Sequence, residues 1–270
     1  SYWRSLPRLS GPSIRVTIHQ MKTYISILST NDYLPGALVI NKCLKLTKAQ
    51  YPFTLLITPN ISEHSISILK DNNIQIKKID GIFLKNHKID NWYFTFSKLN
   101  IFSQTQFEKI VYIDLDMVIT ENLDHLFNKK HYSSVNSGGF ISKDWVGLNG
   151  GLIVFIPSKE LFNSLINIMK DGTYYPSDQD ILHKYYKDWS TKKELNLGYQ
   201  YNMFVCDIPQ AIQKLNFTTI NNMSEINTEP KQINNIKVFH YINPKPWEKE
   251  KLLDKYHALW HEIYKSIEVR

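Results

Sequence analysis

From Met21 onward the chain alternates short apolar runs with amphipathic stretches, and this alternation constrains its fold more than any other feature. It predicts a βαβ progression and a mainly parallel sheet. Tyr24 to Ser29 reads as a first strand, Thr30-Asn31-Asp32 as a turn, and Pro35 to Lys48 as a helix with proline in its first turn. Phe53 to Thr58 and Ile74 to Ile79 read as further strands, with a helix opened by Ser62 and Glu63 running to about Asp71 between them. Helices are expected over Phe94 to Gln104, Lys159 to Met169 and Gln179 to Tyr186, and strands over Lys109 to Ile113, Gly151 to Ile156 and Lys237 to Tyr241. The tail from Glu248 to Ile267 carries Leu252, Leu253, Tyr256, Leu259, Trp260 and Ile263 on one broad helical face, a pattern that fits core packing. The fold class is α/β, with a Rossmann-like central sheet flanked by helices in a single domain that ends in a C-terminal helix.

With 270 residues, 43% hydrophobic and 13% aromatic, the chain can bury a full core without staples. Cys43 and Cys206 are its two cysteines, too few for a disulfide framework or a Cys-x-x-Cys knuckle, so they read as inert buried thiols in a reducing, cytoplasmic setting. No apolar run reaches transmembrane length, and the first twenty residues lack the apolar region of a secretory signal. The formal charge of +7 is spread in ones and twos, without the dense basic block of a nucleic-acid-binding arm. It reads as a solvated basic surface or as a field that draws in an anionic substrate or lipid. Residues 1–20 contain neither Asn nor Lys, whereas the rest is crowded with both, so they read as a non-native or disordered leader ahead of a domain at 21–270.

The chemistry concentrates at Asp114-Leu115-Asp116, directly after the strand ending at Ile113. In open α/β sheets ligands bind beyond the carboxyl ends of strands. Carboxylates two positions apart can converge on one ion as the chain turns, and hard divalent cations bridge such carboxylates to phosphates. A turn or helix-capping role is the plainer alternative for the same triplet.

Six motifs in order set that triplet in context: Ser29-Thr30-Asn31-Asp32-Tyr33 with Gly36-Ala37-Leu38-Val39; Ser97-Lys98-Leu99; Tyr112-Ile113-Asp114-Leu115-Asp116 with Asn122-Leu123-Asp124; Asn149-Gly150-Gly151; Asp178-Gln179; and His240 with Lys245-Pro246-Trp247. Together they resemble glycogenin and its relatives in glycosyltransferase family 8, from Tyr24 to Trp247. The resemblance implies the GT-A fold and an enzyme that moves a hexose, glucose first, from a UDP-sugar to a hydroxyl with retention of configuration. It implies Mn²⁺ as cofactor, with Mg²⁺ as the alternative, held by Asp114, Asp116 and His240. By the same resemblance Leu28, Thr30, Asn31 and Tyr33 would receive uracil and ribose. Lys98, Leu115, Asn243 and Lys245 would lie along the nucleotide sugar, with Asn149, Gly150 and Gly151 near its hexose. Asp178 and Gln179 would stand at the anomeric carbon as the catalytic pair, although Asp178 also suits the N-cap of the helix that follows.

The chain departs from the family pattern in three places. Asn243 and Pro244 replace an expected glycine, Tyr175 replaces a second acidic residue, and Tyr201 to Leu215 offers no aligned acceptor tyrosine. Transfer to a separate glycan, lipid-linked or protein acceptor is therefore expected ahead of self-glucosylation, and UDP-galactose is the alternative donor. A homodimer would accord with related enzymes, though no surface marks one. Asp114-x-Asp116-x-Val118 also fits the nucleophile motif of haloacid-dehalogenase-type phosphatases, but no later Asp-Asp pair accompanies it. No Gly-x-Gly-x-x-Gly follows the first strand, which argues against a dinucleotide-binding dehydrogenase. A non-catalytic sugar-nucleotide-binding protein on the same scaffold is the reading from another class.

Overall fold

The computed structural model describes residues 21–82, 95–136, 138–144, 146–227, 233–248 and 254–267. The expected leader at 1–20 lies outside these residues, as do Phe94, Leu252 and Leu253. Among the described residues the main sheet has six strands in the order β3-β2-β1-β4-β7-β6. They span Met21–Leu28 (β1), Phe53–Ile57 (β2), Gln75–Lys78 (β3), Phe107–Ile113 (β4), Ser133–Asn136 (β6) and Leu148–Phe155 (β7). β1, β2, β3 and β4 pair in parallel, whereas β7 runs antiparallel to both β4 and β6. A second sheet of three short strands has the order β5-β9-β8, made by Met117–Ile119 (β5), Met203–Phe204 (β8) and Val238–His240 (β9).

Because successive strand side chains point to opposite faces, each central strand feeds two cores. Tyr24 and Leu28 of β1, Val111 and Ile113 of β4, and Leu152 and Val154 of β7 enter one apolar cluster; Ile25, Ile110, Tyr112, Ile153 and Phe155 enter the other. The first is covered by Leu34–Leu46 (α1), Glu63–Asp71 (α2), Ile208–Leu215 (α5) and Lys255–Lys265 (α6), which contribute Val39, Leu69, Ile208, Tyr256 and Trp260. The second is covered by Lys159–Met169 (α3), Asp178–Tyr185 (α4) and the 3-10 helix Thr95–Ser103, through Leu165, Ile181, Leu99 and Phe102. Among the described residues no helix is long and apolar enough to cross a membrane.

Most expected elements are present with ends shifted by a residue or two. Thr95–Ser103 is a 3-10 helix, whose tighter turn still buries Phe96, Leu99 and Phe102 against the sheet. The C-terminal helix begins at Lys255, where the Asp254 side chain accepts from the backbone N–H of Tyr256 and His257. Its Tyr256, Leu259, Trp260 and Ile263 are core residues, as their spacing implies. Cys43 is buried, but Cys206 is exposed and corrects the expectation of two buried thiols: it lies in the 3-10 turn Val205–Asp207 that enters α5. Strands β5, β6 and β8 and helix α5 go beyond the sequence reading. A strand of two to four residues has too little alternation to read.

Helix α1 approaches the chain after β4 so closely that its first turn admits no side chain at Gly36. A Cβ there would stand 2.2 Å from the Leu115 carbonyl oxygen. Gly36→Ala is therefore expected to destabilise the fold by about 1–3 kcal/mol through overpacking, read as a lower thermal midpoint. An unchanged midpoint would show that α1 can retreat without cost.

Candidate active site

The triplet Asp114-Leu115-Asp116 is the crossing from the large sheet to the small one, after Ile113 of β4 and before Met117 of β5. Each sheet holds one end of it. Asp114 N–H donates to the Gly151 carbonyl of β7 at 2.8 Å, and Tyr241 N–H donates to the Asp116 carbonyl at 2.8 Å. The β5/β9 register places Met117 opposite His240, which brings the imidazole beside the preceding Asp116.

Oxygen atoms of Asp114 and Asp116 and a ring nitrogen of His240 lie within 4.8 Å of one another. Asp116 Oδ1 is buried and accepts no hydrogen bond, although His240 Nε2 stands 3.2 Å away. A carboxylate oxygen and a ring nitrogen that converge without bonding each other, beside a second carboxylate, fit a divalent cation with oxygen and nitrogen ligands. Burial works against the charge of Asp116, but His240, whenever its ring is protonated, and Lys245 outweigh it and hold the carboxyl well below the usual range. Lys245 Nζ donates to Asp116 Oδ2, to the Ile242 carbonyl at 2.9 Å and to the Tyr241 carbonyl at 3.1 Å.

A cleft of about 220 Å³ opens over this cluster, lined by Ile27, Ser29, Tyr33, Lys98, Tyr112, Asp114, Leu115, Asp116 and Asp178. Tyr33 stands at its edge, with its ring edge-on to Trp247 at 5.0 Å; burial first, then the nearby Asp116 and Asp114, push its hydroxyl above the usual tyrosine range. On the opposite wall Lys98 Nζ lies 3.1 Å from Asp114 Oδ1, 3.5 Å from Asp178 Oδ2 and 4.6 Å from the Tyr112 ring centre. Burial opposes its charge, and the two carboxylates outweigh burial and raise its pKa. Asp178 is 9% exposed; burial pushes its carboxyl up, Lys98 pulls it down and Asp114 adds to the rise. The helix cap is Ser177, whose N–H and hydroxyl both donate to Asp180 Oδ2, so Asp178 is the first helical residue and its carboxylate stays directed at Lys98.

Gly150 forms the floor between these groups. Its N–H donates to Gln179 Oε1 at 2.9 Å, and a Cβ there would lie 3.3 Å from Lys98 Nζ and 3.6 Å from Asp178 Oδ2. Other residues singled out in the sequence stand further back. Leu28 is in the core, and the strand's alternation presents Ile27 and Ser29 instead. Thr30 precedes the 3-10 turn Asn31–Tyr33. Asn31 Oδ1 accepts from Ser62 N–H at 3.0 Å and Ser65 Oγ at 2.8 Å, tying the turn to α2. Asn149 faces a smaller cleft with Asn202 and Phe204, and Asn243 is exposed on the loop before Lys245.

Two polar residues at this centre escaped the sequence reading. Tyr112 hydroxyl donates to Asp114 Oδ1, and its position two residues upstream on the same strand face was the available signal. Asn202 Oδ1 meets His240 Nδ1 at 2.7 Å, a contact made by tertiary pairing with no trace in local spacing.

No family model matches the chain. Over 279 residues it is 27% identical to galactinol synthase 1 of Solanum lycopersicum, an overlap of 91% of this chain and 81% of that protein. Over 185 residues it is 30% identical to glycogenin-1 of Homo sapiens, 65% of this chain but 52% of glycogenin-1, so it matches about half the length of that relative. Its fold is that of the galactosyltransferase LgtC solved with donor and acceptor sugar analogues, at a TM-score of 0.61, 16% identity, and coverage of 92% of this chain and 97% of that one.

The Lys98 contacts generate a pH-dependent expectation. Lys98→Met removes the cation from two buried carboxylates, which is expected to cost about 3–5 kcal/mol near neutral pH. The Asp178 carboxyl, already pushed up, rises further. A carboxyl whose folded pKa exceeds its unfolded value regains stability as pH falls through that folded pKa. Urea denaturation at pH 7 and pH 5 is therefore expected to show the deficit shrinking at the lower pH. A deficit equal at both would remove Asp178 from the account.

A six-stranded α/β sheet, a two-carboxylate and imidazole cluster at its strand ends, and these similarities give the chain the GT-A fold and a resemblance to glycogenin and galactinol synthase among the glycosyltransferases.

Proposed function

We propose that this chain is a retaining, Mn²⁺-dependent glycosyltransferase that moves a hexose, glucose first, from a UDP-sugar to a hydroxyl of a separate glycan, lipid-linked or protein acceptor. The single observation that carries the reading is the convergence of His240 with Asp114 and Asp116, two carboxylates that line a cleft also holding Lys98, Tyr33 and Asp178. The unit meant is the domain at 21–270, in a cytoplasmic setting that suits Cys43 and Cys206 as unpaired thiols.

Asp114, Asp116 and His240 would hold the ion. An imidazole among carboxylates suits Mn²⁺ better than Mg²⁺, whose ligands are oxygens. When bound, the ion supplies positive charge that neutralises the leaving diphosphate. Tyr33 offers a flat face at the cleft edge for the pyrimidine ring. Lys98 and Lys245 present ammonium groups to phosphate from opposite sides of Asp114 and Asp116. Gly150 lets the pyranose approach the backbone, and Asp178 with Gln179 would orient it and stabilise the positive charge that develops at the anomeric carbon. Asp178 is held by Lys98 and α4, which suits an electrostatic role more than a nucleophilic one. The acceptor hydroxyl then enters on the face the diphosphate leaves, and its proton passes to the departing phosphate.

UDP-galactose is the second donor reading, favoured by the fold shared with a galactosyltransferase. The GT-A fold removes the support that the phosphatase reading drew from the Asp114-Leu115-Asp116 triplet.

A screen of UDP-glucose, UDP-galactose and UDP-N-acetylglucosamine turnover with and without Mn²⁺ tests the assignment. One donor is expected to be consumed only with metal, with activity lost in Asp116→Ala; no turnover or binding of any UDP-sugar would overturn it. Asp178→Asn is expected to lower transfer by about a hundredfold or more, in the range for loss of one oriented electrostatic group. Retention of most of the rate would remove Asp178 from the chemistry.

A further inference from the structure

Behind the cation-ligand cluster runs a buried hydrogen-bonded row. Gly151 N–H donates to Asn149 Oδ1 at 2.8 Å, Asn202 Nδ2 donates to the same oxygen at 2.8 Å, and Asn202 Oδ1 meets His240 Nδ1 at 2.7 Å. Asn149 and Asn202 are each 7% exposed and His240 is 5% exposed. An amide side chain can in principle be turned end for end, so the direction of such a row must come from a group that cannot turn. The Gly151 peptide N–H is that group, since it only donates.

The rest follows by elimination. The Asn149 atom that receives the peptide N–H must be its oxygen. The Asn202 atom that shares this oxygen must then be its NH₂, which leaves the Asn202 oxygen facing the imidazole. An amide oxygen only accepts, so His240 Nδ1 carries the proton and Nε2 of the neutral ring carries the lone pair. Reversing Asn149 would set donor against donor, and reversing Asn202 would set acceptor against acceptor, in a buried place. Nε2 is the atom 3.2 Å from the hydrogen-bond-free Asp116 Oδ1. The neighbours hold the row in place: Phe204 lies edge-on to the imidazole at 5.2 Å, and a Cβ at Gly151 would stand 3.0 Å from both Asn149 Oδ1 and Asn202 Nδ2.

We propose that Asn202, oriented by Asn149 and the Gly151 peptide, is a positioning residue that fixes His240 with Nδ1 protonated and Nε2 presented as a ligand to the cation. The assignment rests on the metal reading of Asp114, Asp116 and His240, and it adds what sets the ring. It gives Asn149 a place behind the ligand, within the same row as Asn202.

Two readouts separate this assignment from the reading beneath it. Long-range ¹H–¹⁵N correlation on metal-free, ¹⁵N-labelled protein, with the His240 signals identified by their loss in His240→Gln, is expected to show the Nδ1-protonated tautomer. An Nε2-protonated ring would overturn the proposal without reference to any metal. Titration of Mn²⁺, followed by the paramagnetic resonance of the free ion, is expected to show affinity weakened by about 10- to 100-fold in Asn202→Leu. Asn202→Asp keeps an oxygen toward Nδ1 and is expected to fall nearer the parent chain. Parent-like affinity in a folded Asn202→Leu protein would overturn the proposal, whereas a parent chain that binds no Mn²⁺ would instead sink the metal reading.

Discussion

Everything at this site depends on three residues whose backbone is shared between two sheets. Asp114 is pinned to β7 and Asp116 to the chain leaving β9, so the carboxylates are carried on main chain that neither sheet can move alone. The same pairing explains why His240 comes from so late in the sequence. It is delivered by β9 opposite Met117, a placement that depends on register and not on nearness along the chain. Gly36 adds the third constraint, because the absence of a side chain lets α1 rest directly on the Leu115 carbonyl. A rigid triplet backed by a helix and gripped from both sides gives its carboxylates little freedom, as electrostatic preorganisation requires.

The second theme is charge kept out of water. Lys98, Asp114, Asp116, Asp178 and Lys245 stand together with their charged ends partly or wholly withdrawn from solvent. Buried ion pairs seldom add net stability, because desolvation offsets most of the attraction. A fold that gathers four such groups in one cleft, with Lys245 paired to one of them, is better explained by a ligand than by the stability they confer. Cations on both sides of a carboxylate cluster suit a polyanion bridged to a metal, which is the chemistry of a nucleoside diphosphate.

Much of this was legible in the sequence, for reasons that differ by residue. The strands β1, β4 and β7 could be read because they are long enough to alternate between two cores. Asp114 and Asp116 could be read because two carboxylates after a strand are a local pattern. His240, Lys98 and Asp178 were visible only through their resemblance to a family, since each alone is an ordinary polar residue. Asn202 could not be read at all: its importance comes from lying between β7 and β9, and nothing in Gln200-Tyr201-Asn202-Met203 encodes that meeting. Cys206 was misjudged because burial was inferred from residue type, whereas its turn at the start of α5 leaves it outside.

The central claim is that Asp114, Asp116 and His240 hold a divalent ion that anchors a nucleoside diphosphate in the cleft beside Tyr33. An anomalous difference map from crystals grown with Mn²⁺ and UDP, collected near the manganese absorption edge, tests it most directly. The account expects one peak within coordination distance of all three side chains, with the diphosphate against it and the uracil at Tyr33. A peak elsewhere, or nucleotide bound away from Asp114 and Asp116, would contradict it.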